Sequence, residues 1–478
     1  MVRRASLVKD LEKELTSLLT PEEVVSSQEA LICYGGDSTR LTGTADAVVR
    51  PCSAESIRLV MEYAAKEKIP ITPRGAGTGL SGGCVPVNGG IVVSTERLNR
   101  IIEIDPVDLV AVVEPGVITA SLHSAVEARR LFYPPDPGSH AFCTLGGNIA
   151  ENAGGLRGLK YGVTRDYVMG LDIALPDGRT FKAGSRTRKN VTGYDMVRLF
   201  TGSEGTLGFI TGATLKLIPL PEAKAGFLAS FDTLEEASEA VVLIIKSGIT
   251  PSTLEIMDSV TLKAVAAYRG GMESREQSLN APSPFNGGEG GYGALLLIEV
   301  DGSKPDVLRQ SAKLVDALKF AGVKELRQAK DPLEQEEIWA ARRAALTALA
   351  RISPSVILED ATVPRGEVPA MVRAIRAVAD KYGLVIGTFG HAGDGNLHPT
   401  IITDLRIEEN RGKATAAVGE IFAAALKLGG TLSGEHGIGL MKSSYMESEL
   451  GAAGLSAMRA VKDALDPQGI MTPGKIFI

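Results

Sequence analysis

Three of the five histidines in the chain fall in two short polar, glycine-rich runs, Gly390-His-Ala-Gly-Asp-Gly-Asn-Leu-His-Pro399 and Ser433-Gly-Glu-His-Gly-Ile-Gly439. Asp394-Gly395 is a turn signal between two apolar runs, 384–389 and 397–402, so His391 and His398 are expected to flank one tight hairpin and to bring two imidazoles to one point. Zn²⁺, Fe²⁺ or Mn²⁺ accepts two imidazoles and a carboxylate while keeping coordination positions open. Glu435, in the second run, is the candidate carboxylate. A lone histidine is more often an ordinary core residue; two around one turn, with a Glu-His pair in another glycine loop, point to a metal site.

A second concentration of chemistry lies at Pro73-Arg-Gly-Ala-Gly-Thr-Gly-Leu-Ser-Gly-Gly83. Gly77, Gly79 and Gly82 match G-x-G-x-x-G after an apparent strand, but a dinucleotide fingerprint needs a helix to follow, and Cys84-Val-Pro-Val-Asn-Gly-Gly90 cannot form one. No Gly-Lys-Ser/Thr closes the loop, so it is not a Walker loop either. Its glycines still let backbone N–H groups converge on an anion, and Thr78 and Ser81 add hydroxyls, the makings of a phosphate nest.

With this loop stand Val113-Glu-Pro-Gly-Val117, Thr144-Leu-Gly-Gly-Asn-Ile-Ala-Glu-Asn-Ala-Gly-Gly155 and Gly202-Ser-Glu-Gly-Thr-Leu-Gly208. In that order the four resemble the FAD domain of the vanillyl-alcohol oxidase (PCMH-type) superfamily. The resemblance extends over nearly the whole chain, through Met471-Thr-Pro-Gly-Lys-Ile476, to the FAD-dependent D-2-hydroxyacid dehydrogenases, the group of the glycolate oxidase flavin subunit and D-lactate dehydrogenase. It implies that Pro73, Arg74, Gly75, Ala76, Gly77, Thr78, Gly79 and Ser81 cradle the FAD pyrophosphate. Pro115, Gly116, Thr144, Gly146, Gly147, Asn148, Asn152 and Gly154 would approach the ring and ribityl chain, and Glu204, Gly205 and Ile210 the adenine and ribityl side. Covalent relatives carry a histidine in the first loop and this chain does not, so the FAD is expected to be non-covalent.

The resemblance also makes His391, His398 and Glu435 the ligands of the divalent metal. It implies hydride transfer from a small D-2-hydroxy acid, D-lactate or glycolate, to flavin N5. That reaction needs a base of suitable pKa for the hydroxyl proton, and His436 fits. A metal on the hydroxyl would act as a Lewis acid. Asn396 is expected to contact substrate. Arg342, in Trp339-Ala-Ala-Arg-Arg343, matches the family's carboxylate-binding arginine, whose planar fork suits that group. Glu359-Asp-Ala-Thr-Val-Pro364 follows where relatives with a larger substrate carry a lysine that grips a second carboxylate; its absence here favours a monocarboxylate over D-2-hydroxyglutarate. A flavin electron-transfer subunit with chemistry elsewhere is the rival, opposed by the intact histidine set. The electrons must then leave to an acceptor protein such as an iron–sulfur subunit or an electron-transfer flavoprotein.

The elements that position these residues follow from length and pattern. At 478 residues the chain exceeds what one core organises. The expected architecture is α+β: an N-terminal helical segment (1–42), a PCMH-type FAD-binding domain of two α/β subdomains (43–220), a ferredoxin-like substrate or cap domain with the metal site (221–440), and a C-terminal helical segment packing back on the FAD domain (441–478). Pro219-Leu-Pro221 marks the main boundary, because two prolines so close break either regular element. Strands are expected at 47–50, 69–73, 90–94, 110–113, 225–231 and 295–300. Helices are expected at 53–66, 119–130, 234–247, 331–350, 367–382, 411–428 and 455–465. Residues 270–293, rich in Gly, Ser, Pro and Asn, read as a mobile surface loop. A formal charge of −6 argues against a nucleic-acid partner. The four cysteines contain no C-x-x-C pair, so no iron–sulfur cluster is expected in this chain. Residues 1–20 alternate charge like a surface helix, and no apolar run suits a membrane span; the protein is expected in the cytoplasm, peripheral to a membrane only through a partner.

Overall fold

Short runs of β-branched residues set the first sheet. Strands Ala47–Val49, Ile71–Arg74 and Ile91–Ser94 carry Ala, Val and Ile on interior faces and pair in parallel, with Val24–Val25 added antiparallel at one edge. Helix Ala54–Glu67 carries the chain from Ala47–Val49 across to Ile71–Arg74, and Ile91–Ser94 then inserts between those two strands. Ser53 caps its first turn by accepting the N–H of Ser56. Its inner residues Ile57, Val60, Met61 and Ala64 share one buried core with Ile71, Ile91, Val93, Ile470 and Met471. This computed structural model describes residues 11–273 and 292–477. Residues 11–18 are helical and insert Leu11 and Leu15 into the same core.

A five-stranded antiparallel sheet follows, in the order Ile101–Asp105, Val110–Val113, Phe209–Lys216, Val168–Ala174, Thr180–Gly184. With the first sheet it belongs to one compact unit, residues 1–154, 163–220 and 435–478; residues 155–162 and 221–434 form a second. One dividing line falls between Leu220 and Pro221, inside the proline-rich run.

In the second unit, strands Ala223–Phe231, Thr253–Asp258, Ala294–Gly302 and Glu325–Gln328 are ordered fourth, first, third, second, all antiparallel. With helices Leu234–Lys246 and Lys304–Phe320 this is the ferredoxin-like pattern. The sheet continues past Thr253–Asp258 through Val385–His391, Asn396–Thr403 and Ser355–Leu358. Side chains alternate along each strand. Leu228, Met257, Leu295 and Phe389 pack with Ile338, Trp339 and Leu349 of helices Pro332–Arg343 and Ala345–Leu349. The helix expected over 331–350 is thus two helices, broken at Ala344. The loop expected over 270–293 lies mostly outside the described residues, and helix Ser259–Glu273 covers its first positions. Helix Met446–Leu465 begins nine residues before the expected start and is interrupted at Gly451, whose φ of 67° lies in the left-handed region. No helix among the described residues is long and apolar enough to cross a membrane.

One buried carboxylate ties the N-terminal segment to the first sheet. Glu23 accepts the N–H of Cys52 at 2.8 Å and the N–H and hydroxyl of Thr20 at 3.1 Å each. Burial alone raises a carboxyl, but these donors and the Ser56 hydroxyl win and hold Glu23 at about 2 instead of 4.5. A depressed folded-state value contributes stability above the unfolded value and loses it as pH falls from 4.5 toward 2. The shift corresponds to on the order of 2–3 kcal/mol. Glu23→Gln is therefore expected to lower stability at neutral pH and to flatten the acid limb; urea midpoints for both proteins between pH 2 and 7 check this, and parallel curves would refute it.

Candidate active site

In the first unit the four glycine motifs meet. The loop after strand Ile71–Arg74 runs to Ile91 without a helix, as expected for a nest and not a dinucleotide fingerprint. A Cβ on Gly75 would stand 2.4 Å from Oγ1 of Thr144, and one on Gly146 would stand 2.6 Å from Cβ of Pro115. Gly116 is closed in the same way by the Thr95 carbonyl, at 2.0 Å. Gly202 and Glu204 donate their N–H groups to the carbonyls of Ile149 and Ala150, and Gly205 lies on Pro73. Thr472 adds a hydroxyl bond to the Gly205 carbonyl at 3.3 Å. These glycines serve close backbone approach, the condition for main-chain N–H groups to surround a bound anion.

Several side chains from the same motifs are committed to the protein itself. Thr144 caps helix Leu145–Glu151 by accepting the N–H of Gly147, and Asn148 donates to Thr119 Oγ1 at 2.8 Å. Asn152 accepts the N–H of Arg165 at 2.9 Å. Arg74 donates to the Gly36 carbonyl at 2.5 Å and to Cys84 Sγ at 3.2 Å, with its guanidinium over the Tyr34 ring. Glu204 spends both carboxylate oxygens on the N–H groups of Ile438 and Gly439. The loop positions Gly75 to Gly79 and Thr78 offer backbone and hydroxyl donors instead. Lys475 and Glu204 are buried, with the half-buried Glu151 near them: burial pushes the Lys475 ammonium down to about 8 against the opposing pull of Cys84, Asp37, Glu204 and Glu151. In this unit His436 lies nearly buried, its Nε2 3.9 Å from Oε1 of Glu435. A Cβ on Gly154 would stand 2.7 Å from Oε2 of Glu435.

In the second unit the histidine hairpin forms. His391 closes strand Val385–His391 opposite Asn396, and Phe389 stands opposite His398. Four residues, Ala392 to Gly395, make the turn, with Gly395 at φ 90°. The His391 and His398 rings lie perpendicular with centroids 5.1 Å apart, and each offers a nitrogen within 4.8 Å of the other's. Nδ1 of His391 is 2.6 Å from Oε1 of Glu255. That contact fixes the ring and leaves Nε2 as the ligand atom, the arrangement in which a carboxylate orients a metal-binding imidazole. Oε2 of Glu255 accepts Nε of Arg342 at 2.7 Å, and the guanidinium stacks on Phe389 with its carbon 4.7 Å from the ring centre. Burial alone raises the Glu255 carboxyl, but the charges of His391 and Arg342 hold it below its ordinary value. Asn396 is buried, with Oδ1 lacking a hydrogen-bond partner among the described residues.

Two residues here were not singled out in the sequence. Glu255 sits in strand Thr253–Asp258, all of whose residues are buried, and a carboxylate between the apolar Leu254 and Ile256 is its only signal. Asp360 accepts the Ser433 hydroxyl at 2.7 Å and the Gly434 N–H at 2.8 Å, and stands within 4.8 Å of a His398 nitrogen. The donor set of imidazoles, one oriented by a carboxylate, suits a borderline divalent cation.

A fold of this kind with this loop set defines a flavoprotein, and the comparisons agree. Residues 45–184 match the FAD binding domain model, and residues 220–476 match that of the FAD linked oxidases, C-terminal domain. The chain belongs to this family of FAD-linked oxidoreductases. It is 44% identical to the glycolate oxidase subunit GlcD of Bacillus subtilis (strain 168) over 98% of this chain and 97% of that one. It is 34% identical to the D-lactate dehydrogenase of Anaerostipes hadrus over 96% and 95%. Among solved structures, p-cresol methylhydroxylase with substrate bound superposes with a TM-score of 0.80 at 19% identity, covering 100% of this chain and 98% of that one. At that identity the likeness establishes the PCMH-type fold alone.

Proposed function

We propose that this chain oxidises a small D-2-hydroxy acid, D-lactate or glycolate, to the 2-oxo acid. The observation that carries the reading is the Glu255 array, in which one buried carboxylate orients both His391 and Arg342 beside His398 and Asn396. An α-hydroxy acid offers a carboxylate and an adjacent hydroxyl, and this array presents a planar cation for the first and imidazole ligands for a metal beside the second. The names of the two relatives support the substrate class.

FAD, when bound, supplies N5 as the hydride acceptor. The residues that would hold it are the glycine loop from Pro73 to Ser81, Pro115 and Gly116, the Thr144–Gly154 segment, and Glu204, Gly205 and Ile210, largely through backbone. A divalent metal at His391, His398 and Glu435, when bound, supplies Lewis acidity; Glu435 is assigned on sequence alone. Arg342 binds the substrate carboxylate through the edge of its fork that Glu255 does not use, and Asn396 contacts the substrate. His436 takes the hydroxyl proton. The electrons leave to a protein acceptor, an iron–sulfur subunit or an electron-transfer flavoprotein, and the subunit naming of the first relative supports such a partner.

The test is anaerobic bleaching of the bound flavin by D-lactate, L-lactate, glycolate and D-2-hydroxyglutarate, repeated after chelation and metal add-back. Rapid bleaching by a D-monocarboxylate or glycolate, abolished by chelation and restored by metal, is expected. Bleaching by D-2-hydroxyglutarate alone would reassign the substrate, and bleaching by none would favour an electron-transfer subunit.

A further inference from the structure

We propose that Glu204 is a positioning residue for His436, holding the backbone of the loop that carries the imidazole. The inference rests on the reading of His436 as the base. Its geometry lies wholly within the first unit. The carboxylate of Glu204 is buried and accepts the Ile438 N–H on Oε1 at 2.8 Å and the Gly439 N–H on Oε2 at 2.7 Å. The next residue is held as well: Leu440 donates its N–H to the Ser81 carbonyl at 2.8 Å, and the Gly439 carbonyl accepts the Ile476 N–H at 2.9 Å. Four successive backbone bonds therefore fix residues 438–440 directly after Gly437, and His436 precedes it.

The packing leaves this loop one course. Gly437, at φ 82°, passes so close to two acids that a Cβ would stand 2.3 Å from Oε2 of Glu151 and 3.2 Å from Cδ of Glu204. Gly439, at φ 47°, is pressed equally hard on the Ser81 backbone, where a Cβ would be 2.2 Å from its carbonyl oxygen. Glu204 itself takes φ 53°, a left-handed conformation that non-glycine residues rarely adopt and that persists only where the surroundings over-determine it. Here the surroundings are the N–H bond from Glu204 to the Ala150 carbonyl at one end and the two side-chain bonds at the other. The buried Glu204 carboxylate and the half-buried Glu151 carboxylate repel, and Lys475, a buried ammonium without a hydrogen-bond partner among the described residues, supplies the opposite charge. A carboxylate suits the position because it presents two acceptors to two N–H donors; glutamine offers one and sets its NH₂ against the other.

A base displaced by about 1 Å loses on the order of 10²-fold in rate. Glu204→Gln is compared with wild type in the full-length FAD-loaded protein by two measurements: amide hydrogen exchange at Ile438 and Gly439, and anaerobic flavin reduction across a range of D-lactate concentrations. The expected result is retained FAD, exchange at those amides faster by about 10-fold or more, and a limiting reduction rate lower by about 10²-fold. The D-lactate concentration for half-maximal reduction should hardly move, because a base positioned by the loop acts on the chemical step and not on binding. Unchanged exchange, or a wild-type limiting rate, would overturn the proposal, as would loss of FAD with exchange intact, which would make the Glu204 carboxylate itself a cofactor ligand. Should Glu204→Gln fail to fold, Gly437→Ala, which drives a methyl into Glu151 and displaces the same loop, must show the same pair of changes. If wild type is reduced by neither D-lactate nor glycolate, the substrate reading fails, and the exchange measurement still decides whether Glu204 holds the loop.

Discussion

His436→Ala is expected to purify with wild-type FAD and metal content and to reduce its flavin about 10²–10⁴ times more slowly than wild type, the usual contribution of a positioned general base. The substitution removes an imidazole while leaving the backbone bonds of Ile438, Gly439 and Leu440 to Glu204 and Ser81 untouched. The loop, and with it Glu435, should therefore stay in place. The imidazole is nearly buried, so water does not readily replace it as proton acceptor. Rapid-mixing reduction by D-lactate, with FAD absorbance and metal content measured on the same sample, separates the cases. A wild-type rate would remove His436 from the chemistry. Loss of metal along with rate would make it a ligand, leaving the base to be found elsewhere.

The features legible in the sequence are those encoded locally. Strand Val110–Val113 appears at the expected residues, and helices Ala54–Glu67 and Leu234–Lys246 begin at Ser and Thr caps visible in the chain. The histidine hairpin follows from the Asp394-Gly395 turn signal between two apolar runs, although the turn takes four residues. Features set by register between distant strands were not legible. Glu255 meets His391 from 136 residues away, and in a strand buried on both faces no alternation marks which way a side chain points. The segment Gly155–Gly162 shows the same limit. It falls inside the range expected for the FAD-binding domain, yet Lys160 and Tyr161 bond the Asp301 carboxylate at 2.5 and 2.8 Å, and the segment groups with the second unit. Glycine motifs announce close backbone approach without saying which partner approaches. The Glu of Gly202-Ser-Glu-Gly-Thr-Leu-Gly208 is placed on the cofactor by resemblance, and the motif gives no sign that its carboxylate also accepts from residues 438 and 439.

Glu255→Ala should be the most damaging single change in the second unit, because it strands a buried guanidinium. Arg342 bonds Glu255 through Nε and Nη2, both partners are buried, and no solvent is at hand to take over. Removing one partner of such a pair typically costs about 3–5 kcal/mol. The same deletion frees the His391 ring, since Nδ1 loses the carboxylate that orients it, and loss of such a partner lowers metal affinity about 10–100-fold. Glu255→Gln separates the effects. It keeps the shape and one acceptor, so stability should fall less, while the charge that holds both Arg342 and His391 is gone and metal affinity should still drop. His398→Ala supplies the opposite control: it should lose metal without stranding Arg342, and the cavity it leaves behind Phe389 is the smaller structural defect. Thermal unfolding and metal content after dialysis, measured on all three variants, give the pattern. Equal metal retention in Glu255→Gln and wild type would show that the carboxylate serves Arg342 alone, and a Glu255→Ala protein as stable as wild type would mean that the guanidinium finds another partner when Glu255 is lost.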